Sequence, residues 1–326
     1  MGKKVLVIGP GYIGDILFTT PALHAVKAVL PDAAVTYFTQ KKVYSLSVFR
    51  GNPDVDEVIV YDKRGVHFTP WGKAALIGRL RRRNFDIAFV FSRGLMRGLI
   101  PWFCDIPERV GYLTPVRRRA AFLFTCSVPE PDPATLHRVA YYQNLVTLHF
   151  GRRIQVSGYT VPVAPEARRF AEELLGSFAV RRPLVCFHPG ARERNRWPVE
   201  YVGELGRMIR SRYPAGGIVL TGSPGERVLA ERAAGMIGGG TLVLAGRTDF
   251  SQVCAVIGRC DAMVTGDTGP LHVACGLNVP VVALFAGSSP AIFGPFGAGR
   301  SVVLEATSMG DILPEQAMNA LVQLLT

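Results

Sequence analysis

No apolar run in the chain reaches the roughly 20 residues that a spanning helix needs, so the sequence predicts no membrane span. The opening Met-Gly-Lys-Lys leads only into Val5 to Ile8 before Gly9, too short a run for the apolar core of a secretion signal. Cysteine is scarce: Cys104, Cys126, Cys186, Cys254, Cys260 and Cys275 show no paired metal spacing, and most sit in apolar runs. They read as free thiols in a reducing compartment, which places the protein in the cytoplasm. A zinc finger and an RNP-type aromatic motif are both missing, so no nucleic-acid partner is expected. Acidic residues are in deficit, 25 against 37 basic ones, for a formal net charge of +12. That excess favours anionic partners, either an anionic membrane surface or a phosphorylated substrate. What remains is an ordinary globular composition: 48% hydrophobic and 19% charged residues over 326 positions, enough for two domains with a core each.

The stretch Gly266 to Phe285 organises the rest. An apolar strand, Asp261 to Thr265, runs into Gly266-Asp-Thr-Gly-Pro270, then a helix from Leu271, then a second strand, Val279 to Phe285. Strand, Gly-rich turn and helix together put backbone N–H groups and a positive helix end at the carboxyl edge of a parallel sheet, where phosphates bind. Asp267, Thr268 and His272 add polar side chains there. The same stretch also reads as a plain βα turn with a capping Asp.

Near the N-terminus, Gly9-Pro-Gly-Tyr-Ile-Gly14 follows the strand Lys3 to Ile8 and has the G-x-G-x-x-G form of a dinucleotide site. The second strand, Ala34 to Phe38, ends in Thr39-Gln-Lys-Lys42 with no acid for the ribose hydroxyls, which disfavours NAD. Its lysines suit a 2′-phosphate, so an NADP-dependent oxidoreductase stays as the alternative. Asp15, directly after Gly14, would repel a docked pyrophosphate. It reads either as a residue that compensates the helix dipole or as a general base. Thr19-Thr-Pro21 is expected to end one helix and start another, Ala22 to Leu30.

Strands and helices alternate through the remainder, with a linker at Arg152 to Pro165. Thr114 to Arg119 reads as a basic loop, and Trp71 to Arg83 as a basic amphipathic helix whose Arg81, Arg82 and Arg83 suit an anionic membrane surface. In the second half, His188 to Pro198 is a polar loop leaving a strand, and its Arg192, Arg194 and Arg196 could neutralise a diphosphate. The pattern predicts an α/β protein of two doubly wound Rossmann-like domains, 1–160 and 161–326, facing a central cleft. A non-catalytic nucleotide-sugar or glycolipid binding protein is a third reading, and the carboxylate of Asp15 argues against it.

Read together, these motifs resemble the heptosyltransferase family of GT-B glycosyltransferases. Gly11-Tyr-Ile-Gly-Asp-Ile-Leu-Phe-Thr-Thr-Pro-Ala-Leu23 is similar to its N-terminal motif. His188-Pro-Gly190, Arg196-Trp-Pro198, Gly222-Ser-Pro-Gly-Glu226, Leu244-Ala-Gly-Arg-Thr248 and Asp267-Thr-Gly-Pro-Leu-His272 match its later motifs in order. The resemblance spans nearly the whole chain. It implies a metal-independent inverting transferase without a cofactor, which moves a heptose from ADP-heptose to the inner core of lipopolysaccharide. It also implies an acceptor-binding first domain and a nucleotide-sugar-binding second domain. By this likeness Asp15 is the catalytic base, with Gly14, Arg93 and Arg117 on the acceptor side. Donor-side residues are His188, Gly190, Arg192, Arg194, Asn195, Arg196, Gly222, Glu226, Thr248, Asp267, Thr268, Gly269, Pro270 and His272. Glu226 falls at the nucleoside and Thr248 near the adenine. The implied partners are an ADP-sugar and an anionic glycolipid at the inner membrane surface, met by a monomer. One departure stands out: Asn195 occupies the position of the family's usual lysine. Either a neighbouring arginine supplies that charge or the donor differs.

Overall fold

Val5, Leu6, Val7 and Ile8 are completely buried, the mark of a strand covered on both faces, and the other inner strands are buried in the same way. Each such side chain contributes about 1.5–3 kcal/mol by leaving water. The computed structural model describes residues 2–42 and 44–326, and the chain divides into two units, Met1–Val156 and Ser157–Thr326.

The first unit runs β1 (Lys4–Ile8), α1 (Ile13–Val29), β2 (Ala34–Gln40), β3 (Glu57–Tyr61), α2 (Pro70–Arg81), β4 (Ile87–Val90), α3 (Leu95–Phe103), β5 (Glu108–Leu113), β6 (Cys126–Pro129) and α4 (Arg138–Phe150). Its sheet is parallel, in the order β3-β2-β1-β4-β5-β6. The stretch 151–164 holds no helix or strand, and the unit boundary falls within it.

The second unit runs α5 (Pro165–Ser177), β7 (Arg181–His188), α6 (Val199–Arg212), β8 (Gly216–Leu220), α7 (Arg227–Ile237), β9 (Thr241–Val243), α8 (Phe250–Ile257), β10 (Ala262–Gly266), α9 (Gly269–Gly276), β11 (Val281–Ala286), α10 (Pro290–Phe293), β12 (Ser301–Ala306) and α11 (Pro314–Leu325). Its sheet, also parallel, has the order β12-β11-β10-β7-β8-β9. Both units are therefore doubly wound α/β. In each, the chain begins on an inner strand, walks to one edge, and returns to the other side. The order reverses between β1 and β4, and between β7 and β10, and the loops leaving those strands flank the crevice where such sheets bind ligands.

Three sequence expectations need correction. Thr19-Thr-Pro21 does not break α1, which runs through Pro21 as one helix. Proline lacks the N–H that would bond the carbonyl of Leu17. The Thr20 hydroxyl donates to that carbonyl at 2.9 Å and replaces the missing bond. The segment Thr114 to Arg119 is not a loop: residues 115–123 form a 3₁₀ helix, with Arg117 buried and Arg118 and Arg119 exposed. Finally, the structure adds α3, β6, α10 and β12, which the sequence pattern does not predict. β12 and β6 lie at sheet edges and alternate between half-buried and exposed residues, so neither forms a continuous apolar run. Among the described residues no helix is long and apolar enough to cross a membrane.

Candidate active site

In the first unit the crevice begins with Gly9-Pro-Gly11, which leaves β1 and turns into α1. A Cβ at Gly9 would lie 1.9 Å from the hydroxyl of Tyr37, so only glycine fits beneath that side chain. Tyr37 and Thr39, both from β2, donate to the carbonyl of Pro10 at 3.3 and 2.6 Å. These glycines are thus explained by packing against β2 side chains. The lysines that an NADP site would use are engaged elsewhere: Lys41 pairs with Asp62 at 2.7 Å, and the Lys42 ammonium lies 4.6 Å from the ring centre of Tyr12.

Asp15 is half-buried in the first turn of α1. The positive end of that helix favours its charged form. Tyr12 occupies the N-cap position, and no side chain caps the helix there. The charge of Asp15 acts on Tyr142 of α4 and Tyr37 of β2. Burial, then the charge of Asp15, raises the Tyr142 hydroxyl out of the range where it would ionise, while Arg138 and Arg93 oppose that effect.

Arg93 lies in the loop after β4, the strand next to β1. Its Nε and Nη2 donate to the two oxygens of Glu130 at 2.6 and 3.1 Å, and the Tyr141 hydroxyl donates to the same carboxylate at 2.6 Å. The Glu130 bond raises the pKa of Arg93. Arg117 sits beneath this loop. Its Nη2 donates to the carbonyls of Ser92 and, at 2.9 Å, Gly94, on either side of Arg93. Its Nη1 reaches Tyr112 O at 3.4 Å, and the guanidinium stacks over Phe124 at 5.1 Å. Burial pushes its pKa down to about 10. Arg117 therefore reaches the site through the backbone that carries Arg93. Gly14 lies directly before Asp15 and is half-buried.

In the second unit, His188 ends β7 and its Nδ1 lies 3.2 Å from the hydroxyl of Thr221, at the end of β8. Burial lowers the His188 pKa, and Glu226 partly opposes this. The Glu226 carboxylate accepts from the N–H of Ser223 at 2.6 Å and closes a capping box over residues 223–226. It also lies against Gly190, where a Cβ would come within 2.1 Å of Oε1. A Cβ at Gly222 would lie 3.2 Å from that of Glu226. His188, Gly190, Gly222 and Glu226 thus form one cluster, joined by Thr221, which the sequence reading had not singled out.

The loop after β7 then approaches the start of α9. Asn195 is buried, and its backbone oxygen lies 3.1 Å from where a Cβ of Gly266 would sit. Its Oδ1 has no hydrogen-bond partner among the described residues. Arg192, Arg194 and Arg196 are exposed. Arg196 folds back onto the carbonyl of Ala191 at 3.0 Å, and Arg194 has no ion pair among the described residues. Burial raises the Asp267 pKa, and the nearby Ser288 hydroxyl and Arg192 guanidinium pull it down. Of the three arginines, Arg192 is the one whose charge reaches Asp267.

Thr268 precedes α9 as its N-cap without a side-chain cap, and its hydroxyl lies 3.1 Å from that of Thr265. Gly269 and Pro270 open the helix, where Pro forfeits no helical bond. His272, one turn in, is buried with Nδ1 3.3 Å from the Tyr159 hydroxyl. Thr248 is half-buried next to Asp249, which caps α8 by accepting from Gln252 N at 2.8 Å. The arrangement offers N–H groups, a helix end and cationic side chains along the carboxyl ends of β7, β8 and β10. Such a surface stabilises the charge of a departing diphosphate.

Asp54 and Asp56 have the Asp-x-Asp spacing of a metal site, but both carboxylates serve structure. Asp54 lies 3.2 Å from His24 Nδ1, while Asp56 takes bonds from Lys27 at 2.8 Å and Val35 N at 2.6 Å.

The chain is similar to known proteins over nearly its whole length. Lipopolysaccharide heptosyltransferase 2 of Salmonella typhimurium is 27% identical, with 99% of each chain covered. A glycosyl transferase family 9 structure from Veillonella parvula superposes with a TM-score of 0.89 at 23% identity, covering 99% of this chain and 97% of that one. The structure of Escherichia coli ADP-heptose lipopolysaccharide heptosyltransferase II gives 0.83 at 25% identity, covering 99% and 98%. The family model for glycosyltransferase family 9 (heptosyltransferase) matches residues 73–319. The chain belongs to that family, so it is a glycosyltransferase, with the two-sheet α/β fold of its solved members.

Proposed function

We propose that this protein transfers a heptose from ADP-heptose to the inner core of lipopolysaccharide, with inversion at the anomeric carbon. The observation that carries the mechanism is Asp15: a half-buried carboxylate in the first turn of α1, where the first sheet reverses order. As the acceptor hydroxyl attacks the anomeric carbon, the sugar–phosphate bond breaks and the hydroxyl proton passes to Asp15. The single displacement inverts the centre. ADP departs with its diphosphate on Arg192 and the N-terminus of α9, and its nucleoside toward Glu226 and Thr248. The donor named for the Escherichia coli relative supports this reading.

In this reading the protein acts as a monomer at the cytoplasmic face of the inner membrane, held peripherally. The surface best suited to such contact is not the one suggested by Arg81 to Arg83. Arg81 pairs with Asp105, and Arg83 grips both oxygens of Glu57 at 2.8 and 2.7 Å. The stretch from the end of β3 into the first turn of α2 is better suited, because Val66, Phe68 and Trp71 are 75%, 69% and 84% exposed beside Lys63, Arg64 and Lys73. Aromatic and basic side chains together suit an anionic lipid interface.

The test is turnover with a panel of ADP-, GDP- and UDP-linked sugars on a deacylated inner-core acceptor, followed by mass spectrometry. A product heavier by one heptose, formed from ADP-heptose, is expected. Transfer from a UDP- or GDP-sugar alone would replace the donor assignment.

A further inference from the structure

The chain enters the second unit along α9. His272 and Gly276 are four residues apart, on one face of that helix. At Gly276 a Cβ would lie 2.5 Å from Cγ2 of Val161 and 3.1 Å from Cβ of Tyr159, so only glycine lets the entering segment lie this close. One turn earlier, the Tyr159 ring meets the His272 ring edge-on, with centroids 5.6 Å apart. Phe296 packs against the same phenol at 5.4 Å. Tyr159 is therefore held through both its backbone and its ring.

Tyr159 and His272 are both buried, and the Tyr159 hydroxyl lies 3.3 Å from Nδ1 of His272. Burial, then the Cys275 thiol, raises the Tyr159 pKa, so the phenol keeps its proton and has one to donate. A buried hydroxyl that donates nothing costs free energy. A neutral imidazole carries a proton on one nitrogen and accepts at the other, and the bond made at the first nitrogen decides what the second can do. His272 is the fourth residue of α9, the helix whose N-terminus is assigned above to the diphosphate.

We propose that Tyr159 is a positioning residue for the donor: its hydroxyl donates to Nδ1 of His272, which leaves the imidazole proton on Nε2, and that N–H donates to the diphosphate of the nucleotide sugar. The proposal rests on the glycosyl-transfer reading above. In the other tautomer Nε2 would turn a lone pair toward an anion and repel it. No proton changes hands in this role. The bond strengthens as negative charge grows on the departing diphosphate.

Tyr159→Phe tests this, because it keeps the ring against Phe296 and removes the hydroxyl. ADP affinity should fall roughly tenfold, and donor KM should rise with it, while adenosine affinity and acceptor KM stay unchanged. In a His272→Ala background Tyr159→Phe should have no further effect on ADP, because the phenol acts through the imidazole. Nitrogen-15 NMR gives a readout free of ligand and turnover. The His272 signal, identified among the six histidines by its loss in His272→Ala, should report a proton on Nε2 in the wild type and a mixture of tautomers in Tyr159→Phe. A wild-type His272 with its proton on Nδ1 overturns the assignment. So does a Tyr159→Phe protein that binds ADP as tightly as the wild type, or whose loss of ADP affinity persists in full without His272, since that describes a structural tyrosine. If ADP binding and the tautomer respond as expected but the wild type transfers no sugar, the transferase reading fails and the role of Tyr159 at the diphosphate stands.

Discussion

The two units share one strand order, yet they present opposite surfaces. In the second, the loops at the carboxyl ends of the strands are short and glycine-rich, and they press against each other, as Glu226 does against Gly190. Its exposed large apolar residues are Val228, Val303 and Leu313. The first unit exposes Tyr12, Leu46, Val66, Phe68, Trp71, Met96, Trp102, Phe103, Val116, Phe122 and Leu148. Single exposed apolar residues are ordinary, but this concentration in one unit is not. A nucleotide is small and chemically constant, so a site for it can be built from fixed backbone. A lipid-linked glycan, the acceptor proposed above for the first unit, needs a broader surface, with apolar and cationic groups side by side.

The contrast yields three predictions, ordered by expected effect. The largest concerns the first unit. Asp15→Asn keeps the shape of the side chain and removes the base, so kcat should fall roughly 100-fold or more with little change in donor affinity. Near-normal turnover would reduce Asp15 to a helix-dipole residue and leave the first unit without a base. Next comes the second unit. Alanine at Arg192 should weaken ADP binding by about 1.5–3 kcal/mol, with adenosine binding unaffected. Calorimetry checks this, and Arg194 and Arg196 serve as comparisons, because Arg194 lacks a described partner and Arg196 is folded onto its own loop. If all three variants bind ADP as the wild type does, the charge of the missing lysine is not supplied by this loop. The smallest effect concerns the surface. Exchanging Phe68 and Trp71 for Ser should lower co-sedimentation with anionic vesicles about tenfold without altering turnover on a deacylated acceptor. Vesicle binding that survives the exchange would move the membrane contact away from this stretch.

Local sequence is legible where local chemistry decides. α8 was expected at Phe250 to Ile257 and occupies those residues, because Asp249 and Gln252 cap it reciprocally. The Gly266 to Phe285 stretch folded as strand, turn, helix and strand for a similar reason, with Pro270 at the start of α9. At Thr19-Thr-Pro21 the same local logic failed. A Thr-Pro pair signals a helix start, but here the threonine hydroxyl repairs the helix that the proline would interrupt. Nothing in the local sequence separates these outcomes.

The arginines mark the boundary between the two kinds of information. The sequence by itself determined the doubly wound alternation, the positive charge, the glycine turns and the order of motifs that places the chain in its family. Those features depend on spacing within a few residues. Which arginine is neutralised, which is structural and which is bare was decided only by tertiary structure. Arg93, after β4, meets Glu130, after β6, 37 positions away, and Arg117, after β5, meets Ser92, after β4, 25 positions away. Arg97, the third residue of α3, forms no ion pair among the described residues, and its Nη1, like the Nε of Arg117, is buried without a hydrogen bond there. Charge is written in the chain, but its compensation depends on which distant groups the sheet order brings within a few ångströms.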